Sequence, residues 1–137
     1  QGLGNAYGSL GNAYQSLGQY EKAIEHMTIT LQIAEEIGDR RGLGAAYGNL
    51  GTAYFSLGQY EKAIEHHEKA LAIAKEIGDV NGEAMRLGGL SQVHHAMGDK
   101  KMAIQLTEQA LAILEEIGSP YAELARNDLA KWRSEPD

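Results

Sequence analysis

The sequence repeats itself with a period of forty residues. Residues 1–40 align with residues 41–80 without a gap, and 28 of the 40 positions are identical. Residues 81–120 form a third, more divergent copy. A period of this length is typical of solenoids, in which each repeat can bury its apolar face only against its neighbours. The repeat therefore constrains the fold more than any other feature of the chain.

Each repeat is predicted to form two helices. In the second copy, apolar residues recur every three or four positions through 63–77, as they do along one side of a helix. The other helix is predicted over 42–57 and ends at Gly58. We therefore predict an all-α, right-handed α-solenoid of three antiparallel helix pairs. A glycine that commonly ends a helix follows the apolar stripe in every copy, at Gly38, Gly78 and Gly118.

The last residues are predicted to form a capping helix over about 120–134. Ser119 is a suitable N-cap, and Pro120 suits the first helical position. A solenoid needs such a half-polar helix to close its open end. The N-terminal end has no equivalent, and the chain begins with Gln1, so we expect residues 1–137 to be one domain of a longer chain. The apolar side of the cap is predicted to contain Tyr121, Ala125, Asp128 and Trp132, with Leu124 and Leu129 beside them.

Composition excludes several classes of partner. The chain has 12 Lys and Arg against 19 Asp and Glu, a net charge of −7, which disfavours nucleic acid as a partner. No apolar run approaches the roughly 18 residues of a membrane span. The chain has no cysteine, and no signal peptide is visible. We expect a cytoplasmic protein that binds neither nucleic acid nor membrane.

The five histidines do not suggest a metal or catalytic site. His66 and His67 are adjacent, so on a helix they point about 100° apart and cannot share one ion. His26 and His66 occupy the same repeat position, which favours a packing role. No nucleophile, zinc or phosphate-binding motif is present. The sequence predicts no enzyme, no catalytic residue, no metal and no cofactor.

One pattern within each repeat resembles a known family. Tyr47, Leu50, Gly51 and Tyr54, followed by Ala63, match the tetratricopeptide repeat, and the first copy carries the same residues forty positions earlier. The glycine–aspartate junctions make the repeats similar to those of Pins-like G-protein-signalling modulators and of bacterial signalling proteins. The resemblance implies a module for protein–protein interaction.

Differences between the first two copies identify a candidate site. Within the first helix of the repeat they differ at four positions, apart from the flanking residue, and a spacing of 4, 3 and 3 places these on one arc of about 120°. A drifting solvent-facing stripe would contain charged residues, and helices 2–17 and 42–57 contain none. We therefore favour a stripe that faces a ligand. The resemblance implies that these positions line the inner groove of the solenoid.

The predicted groove is neutral and rich in amides. Asn and Gln side chains can pair with the backbone of an extended peptide. No Lys or Arg stands in the stripe, so an acidic C-terminal tail is not the expected ligand. Two roles are compatible with the glycines at 8, 48 and 88. They allow the backbone of a partner to approach the groove, or they allow neighbouring helices to pack closely. The predicted partner-binding residues are Asn5, Gly8, Ser9, Asn12, Gln15, Gly48, Asn49, Thr52, Phe55, Met85, Gln92 and His95.

The sequence is compatible with two functions. The first is a protein–protein interaction module that binds a peptide or partner segment in the groove. The alternative is a structural spacer or self-association element, which would pair through an N-terminal edge at Leu3, Tyr7 and Leu10.

Overall fold

The described part of the chain is a row of helices. The computed structural model describes residues 18–136, and all regular secondary structure in that part is helical. Short turns join the helices, so neighbours along the chain run antiparallel. The helices are α1 (Tyr20–Ile37), α2 (Arg40–Ser56), α3 (Tyr60–Ile77), α4 (Val80–Ala96), α5 (Lys100–Glu116) and α6 (Ala122–Ser134).

The helices stack in sequence order. Each packs mainly against the helix before it and the helix after it, which confirms the predicted all-α solenoid. The pairs α2–α3 and α4–α5 are the second and third predicted pairs, and α1 is the second helix of the first pair. The helix predicted over 2–17 lies outside the described residues, as do Leu3, Tyr7 and Leu10 of the predicted association edge.

A glycine and an aspartate make each turn between repeats. Gly78 has a φ of 71°, a left-handed conformation that glycine adopts without steric cost and that ends α3. Asp79 then caps α4, because its Oδ1 accepts a hydrogen bond from the N–H of Gly82 at 2.9 Å. The same arrangement recurs at Gly38 and Asp39. The predicted stops are therefore confirmed.

Alanine allows the helices of one repeat to pack closely. Ala23, Ala63 and Ala103 occupy the same position in successive repeats and are fully buried. Around the first of them, Met27 and Leu50 complete a small apolar cluster. Because the side chain at this position is only a methyl group, the two helices of a repeat can approach each other closely. The core consequently runs along the stack as a series of such clusters.

Helix α6 covers the end of the described stack. It begins at Ala122, two residues later than predicted, because Pro120 and Tyr121 form a turn. Ser119 caps that turn rather than the helix, since its Oγ accepts a hydrogen bond from the N–H of Tyr121 at 3.2 Å. Tyr121 and Leu124 were predicted on the apolar side and are instead exposed. The buried side of α6 consists of Ala122, Ala125, Leu129 and Trp132.

Replacing Asp39 with alanine is expected to lower the free energy of unfolding by about 1 kcal/mol. The reason is that the N–H of Gly42 loses the carboxylate oxygen that accepts its hydrogen bond. Urea unfolding followed by circular dichroism measures the change. Asp39→Asn keeps an acceptor oxygen and should remain close to the wild type. An equal loss in both variants would contradict the capping role.

Candidate functional site

The first helices of the repeats and α6 lie side by side and form one face. Arg86 of α4 reaches Gly48 of α2, and Gln92 of α4 is hydrogen-bonded to Asp128 of α6. We call the surface formed by α2, α4 and α6 the A face. Five predicted site residues lie outside the described residues, namely Asn5, Gly8, Ser9, Asn12 and Gln15. The other seven belong to α2 or α4: Gly48, Asn49, Thr52, Phe55, Met85, Gln92 and His95.

Gly48 and Gly88 occupy the same repeat position but have different surroundings. A Cβ atom at Gly48 would collide with the guanidinium group of Arg86, so this side chain lies directly against the backbone of α2. Gly48 therefore allows close contact between α2 and α4. A Cβ atom at Gly88 would meet no atom within 4 Å, so the A face is open at that point.

Arg86 borders a recess of about 220 Å³ between α2, α3 and α4. The apolar side chains of Ile73 and Ile77 line it, together with Arg41 and Asp79, whose charged groups are 3.7 Å apart. Burial lowers the pKa of Arg86, and the carboxylate of Asp79 partly opposes this shift. Arg86 makes no hydrogen bond or ion pair with another residue in the range 18–136.

The charge on the A face differs from the expectation of a neutral groove. Arg86 brings a cation to Gly48 from a position outside the predicted stripe. We expected no acidic tail as a ligand because the stripe contains no Lys or Arg. Arg86 places a guanidinium group beside the stripe, so that reason no longer applies. Asp128 brings a carboxylate to the same face further along. In the sequence, only the alignment of the repeats relates Asp128 to the predicted stripe, since it lies forty residues after Gly88. Arg86 is related in the same way to Arg126.

His67 of α3 lies beneath the A face between two glycines. Its ring would be 2.8 Å from a Cβ atom at Gly51 and 2.7 Å from one at Gly89. The side chain is 3% exposed, and its Nδ1 has no hydrogen-bond partner among the described residues. Burial, followed by the effects of Arg86 and His66, lowers the pKa of His67 to about 4. The imidazole is therefore neutral at pH 7 and acts as a packing group.

The predicted positions on α2 are engaged by the protein to different degrees. Thr52 donates a hydrogen bond to the carbonyl of Gly48 at 3.2 Å. The ring of Phe55 packs against Tyr60, with centroids 5.6 Å apart. Asn49 is half-buried, and its amide makes no hydrogen bond with any residue that the structure describes. Asn49 therefore has both a donor and an acceptor to offer a partner.

Gln92 and His95 contact α6 and the residues that follow it. Gln92 Nε2 donates a hydrogen bond to Asp128 Oδ2 at 3.2 Å. His95 Nε2 donates to Glu135 Oε2 at 2.9 Å, and its ring stacks on Trp132 with a centroid distance of 4.6 Å. The hydrogen bond from His95 lowers the pKa of Glu135. These two predicted groove residues thus hold the capping helix.

Met85 borders a second recess, of about 190 Å³, between α4, α5 and α6. Gly88 lies on the α4 side of this recess, Thr107 on the α5 side and Asp128 on the α6 side. It lies one repeat further along the stack than the recess beside Arg86. Two recesses therefore follow each other along the A face.

The described part of the chain contains neither a metal-binding cluster nor a membrane-spanning helix. Within residues 18–136, no three His, Asp or Glu side chains are grouped so that they could hold a metal ion. No helix in this range is both long and apolar enough to cross a membrane.

The stability of the protein should fall as the pH decreases from 7 to 5, by about 2 kcal/mol from His67 alone. The unfolded chain binds a proton at this residue with a pKa near 6.5, whereas the folded chain does so only near 4, so acid favours unfolding. Urea unfolding at each pH measures the effect. His67→Met introduces the residue found at the equivalent position, Met27, and should remove this contribution. Parallel pH profiles for the two proteins would contradict a buried neutral imidazole.

Comparison with known proteins agrees with this architecture. A family model described as tetratricopeptide repeat matches residues 2–76 and 43–116. No curated protein matches the chain in sequence. Among solved structures, the TPR domain of Arabidopsis FLU is 24% identical with a TM-score of 0.79, and the match covers 83% of this chain and 96% of that chain.

Two further structures show the same fold. A signal transduction ATPase with numerous domains and a tetratricopeptide repeat sensor, from Pyrococcus horikoshii, is 24% identical with a TM-score of 0.84, and the match covers 95% of this chain and 20% of that chain. The N-terminal domain of stress-induced protein-1 from C. elegans is 19% identical with a TM-score of 0.75, and the match covers 96% of this chain and 94% of that chain. The matches support the repeat itself and not the more specific Pins-like resemblance. The chain belongs to the tetratricopeptide repeat family.

Proposed function

We propose that this protein binds a segment of a partner protein along the A face, across α2, α4 and α6. Tetratricopeptide repeats are generally protein–protein interaction modules and are typically non-catalytic. The observation that carries the proposal is the pair of recesses, about 220 and 190 Å³ in volume, that follow each other along this face. Side chains of one bound segment would enter both recesses.

An extended segment has the reach that this arrangement requires. Packed helices lie about 8–10 Å apart. A chain in the polyproline II conformation advances about 3.1 Å per residue with three residues per turn. Side chains three residues apart then point the same way at a separation of about 9 Å. Such a segment would place one side chain in each recess.

Asn49 supplies the polar contact in this proposal. It lies next to Gly48 on α2, and its amide has no hydrogen-bond partner in the described part of the chain. An amide can donate to a peptide carbonyl and accept from a peptide N–H without regard to the partner's sequence. The side chains that line the two recesses would then provide selectivity. Ordering the peptide offsets much of the contact energy, so we expect micromolar affinity.

The alternative function, a spacer or self-association element, would leave the A face unoccupied. Its proposed edge at Leu3, Tyr7 and Leu10 lies outside the described residues, so it stays a prediction. Light scattering over a range of concentrations distinguishes the two functions, because only self-association increases the mass.

Asn49→Ala is expected to weaken the binding of partner peptides about fivefold, the effect of losing one hydrogen bond of about 1 kcal/mol. The probes are peptides selected on the wild-type protein from a random-peptide phage library, and fluorescence anisotropy measures their affinity. The melting temperature should not fall, because Asn49 makes no hydrogen bond within the described residues.

Gln109→Ala provides the matched control, since it removes an exposed amide from α5, outside the A face. Its affinity for the same peptides should equal that of the wild type. Equal affinities in all three proteins would place the binding surface elsewhere.

A further inference from the structure

We propose that the recess between α4, α5 and α6 receives a large apolar side chain of the partner segment, and that Asp128 binds a Lys or Arg beside it. This inference rests on the proposed function and adds the chemistry of the bound segment. The occupant is thus a leucine-, methionine- or phenylalanine-sized residue with a neighbouring cation.

Two differences between repeats distinguish the surroundings of this recess. The ring of His67 packs between Gly51 and Gly89, whereas its equivalent, the smaller Thr107, lines the recess, and Ser91 and Leu129 occupy the positions of those two glycines. The second difference is the direction of an arginine. Arg86 lies over Gly48, but its equivalent Arg126 does not lie over Gly88.

Ion pairs explain the direction of Arg126. Its guanidinium is bound by Glu115 at 3.2 Å and by Glu123 at 3.0 Å. The preceding repeat keeps Glu83 at the position of Glu123 but has Lys75 at the position of Glu115, so Arg86 lacks the equivalent of one of these two carboxylates. Arg86 consequently covers its glycine, while the recess beside Gly88 remains accessible.

The floor of the recess, away from Asp128 at its edge, lacks polar groups that need water. Thr107 Oγ1 donates a hydrogen bond to the carbonyl of Ala103 at 2.9 Å, and Ser91 Oγ donates to the carbonyl of Gly88 at 2.7 Å. Both hydroxyls are therefore satisfied within their own helices. The rest of the floor is formed by apolar residues of α5, among them Ala110. A site of this kind favours an apolar group over solvent.

The size of the recess and the exposure of its edge fit a large side chain. Its volume of about 190 Å³ exceeds the ~150 Å³ of an apolar cavity known to bind benzene. Three large apolar side chains stand around it, Met85 at 53% exposure, Tyr121 at 58% and Leu124 at 59%. An inserted side chain would cover part of each, so the apolar area removed from water would exceed that of the inserted residue alone.

Asp128 determines the sign of the neighbouring charge. It is half-buried at the edge of the recess, and its Oδ2 accepts a hydrogen bond from Gln92. No Lys, Arg or His within residues 18–136 forms an ion pair with it. The carboxylate therefore has acceptor capacity for a cation from outside, and the net charge of −7 favours the approach of a basic segment.

The experiment uses peptides selected from a random-peptide phage library on the wild-type protein, with affinities measured by fluorescence anisotropy. We expect the selected sequences to share a large apolar residue with a Lys or Arg close to it. Gly88→Leu places a side chain in the recess and should weaken these peptides at least tenfold. Its melting temperature should not fall, because the site is open and leucine favours helix more than glycine does.

Three further proteins sharpen the test. Ala112→Leu introduces a leucine at an exposed position of α5 and should bind like the wild type. Gly88→Ala fills less of the recess and should have an intermediate affinity, which keeps the test valid if the leucine variant folds poorly. Asp128→Asn keeps an acceptor for Gln92 and should weaken the Lys peptides severalfold. Analogues with norleucine in place of Lys should bind equally to Asp128→Asn and to the wild type.

The outcomes separate this inference from the proposed function. Peptides that are weakened by Asn49→Ala but not by Gly88→Leu would overturn the inference and leave the proposed function intact. Selected peptides with an acidic residue beside the apolar one would do the same. A mass that rises with concentration in the wild type but not in Gly88→Leu would assign the recess to a second copy, and so overturn the inference. If no variant of the A face affects any selected peptide, both proposals fail.

Discussion

Neighbouring helices in this protein approach each other where a side chain of one meets a glycine of the next. His67 lies between Gly51 and Gly89, and the guanidinium of Arg86 lies against Gly48. A glycine inside a helix costs about 0.5–1 kcal/mol relative to alanine, and close packing offsets that cost here. Because each repeat is supported only by its neighbours, these contacts also fix how adjacent repeats are oriented. The A face and its recesses depend on that orientation.

One buried repeat position holds a different residue in each repeat. It contains Met27, His67 and Thr107 in successive repeats, and all three are buried beneath the first helices. The imidazole packs against glycines on both sides, whereas the threonine lines the recess between α4, α5 and α6. Substitutions at this buried position thus change the surroundings of the A face while the helices keep their order along the stack.

Sequence reasoning succeeded where the interactions are local. Within residues 18–136, the predicted helices and the glycine stops are found in the structure, because each depends on residues a few positions apart. Helix α6 begins at Ala122, two residues after the predicted start of about 120, because Ser119 and Pro120 also suit a turn. For the candidate site, the stripe stays a prediction. Arg86 and Asp128 were not among the predicted site residues, because their contacts with Gly48 and Gln92 depend on neighbouring helices.

By itself, the sequence determined that this chain forms stacked helix pairs, since no single repeat can bury its own apolar stripe. It also determined where the helices end, through the φ angles that glycine permits and the caps that aspartate provides. Only the tertiary structure decided that Gly48 is covered while Gly88 is open. The physical reason is that residues at equivalent repeat positions have different neighbours. Arg126 finds the carboxylates of Glu115 and Glu123, whereas Arg86 extends across the gap to the preceding helix.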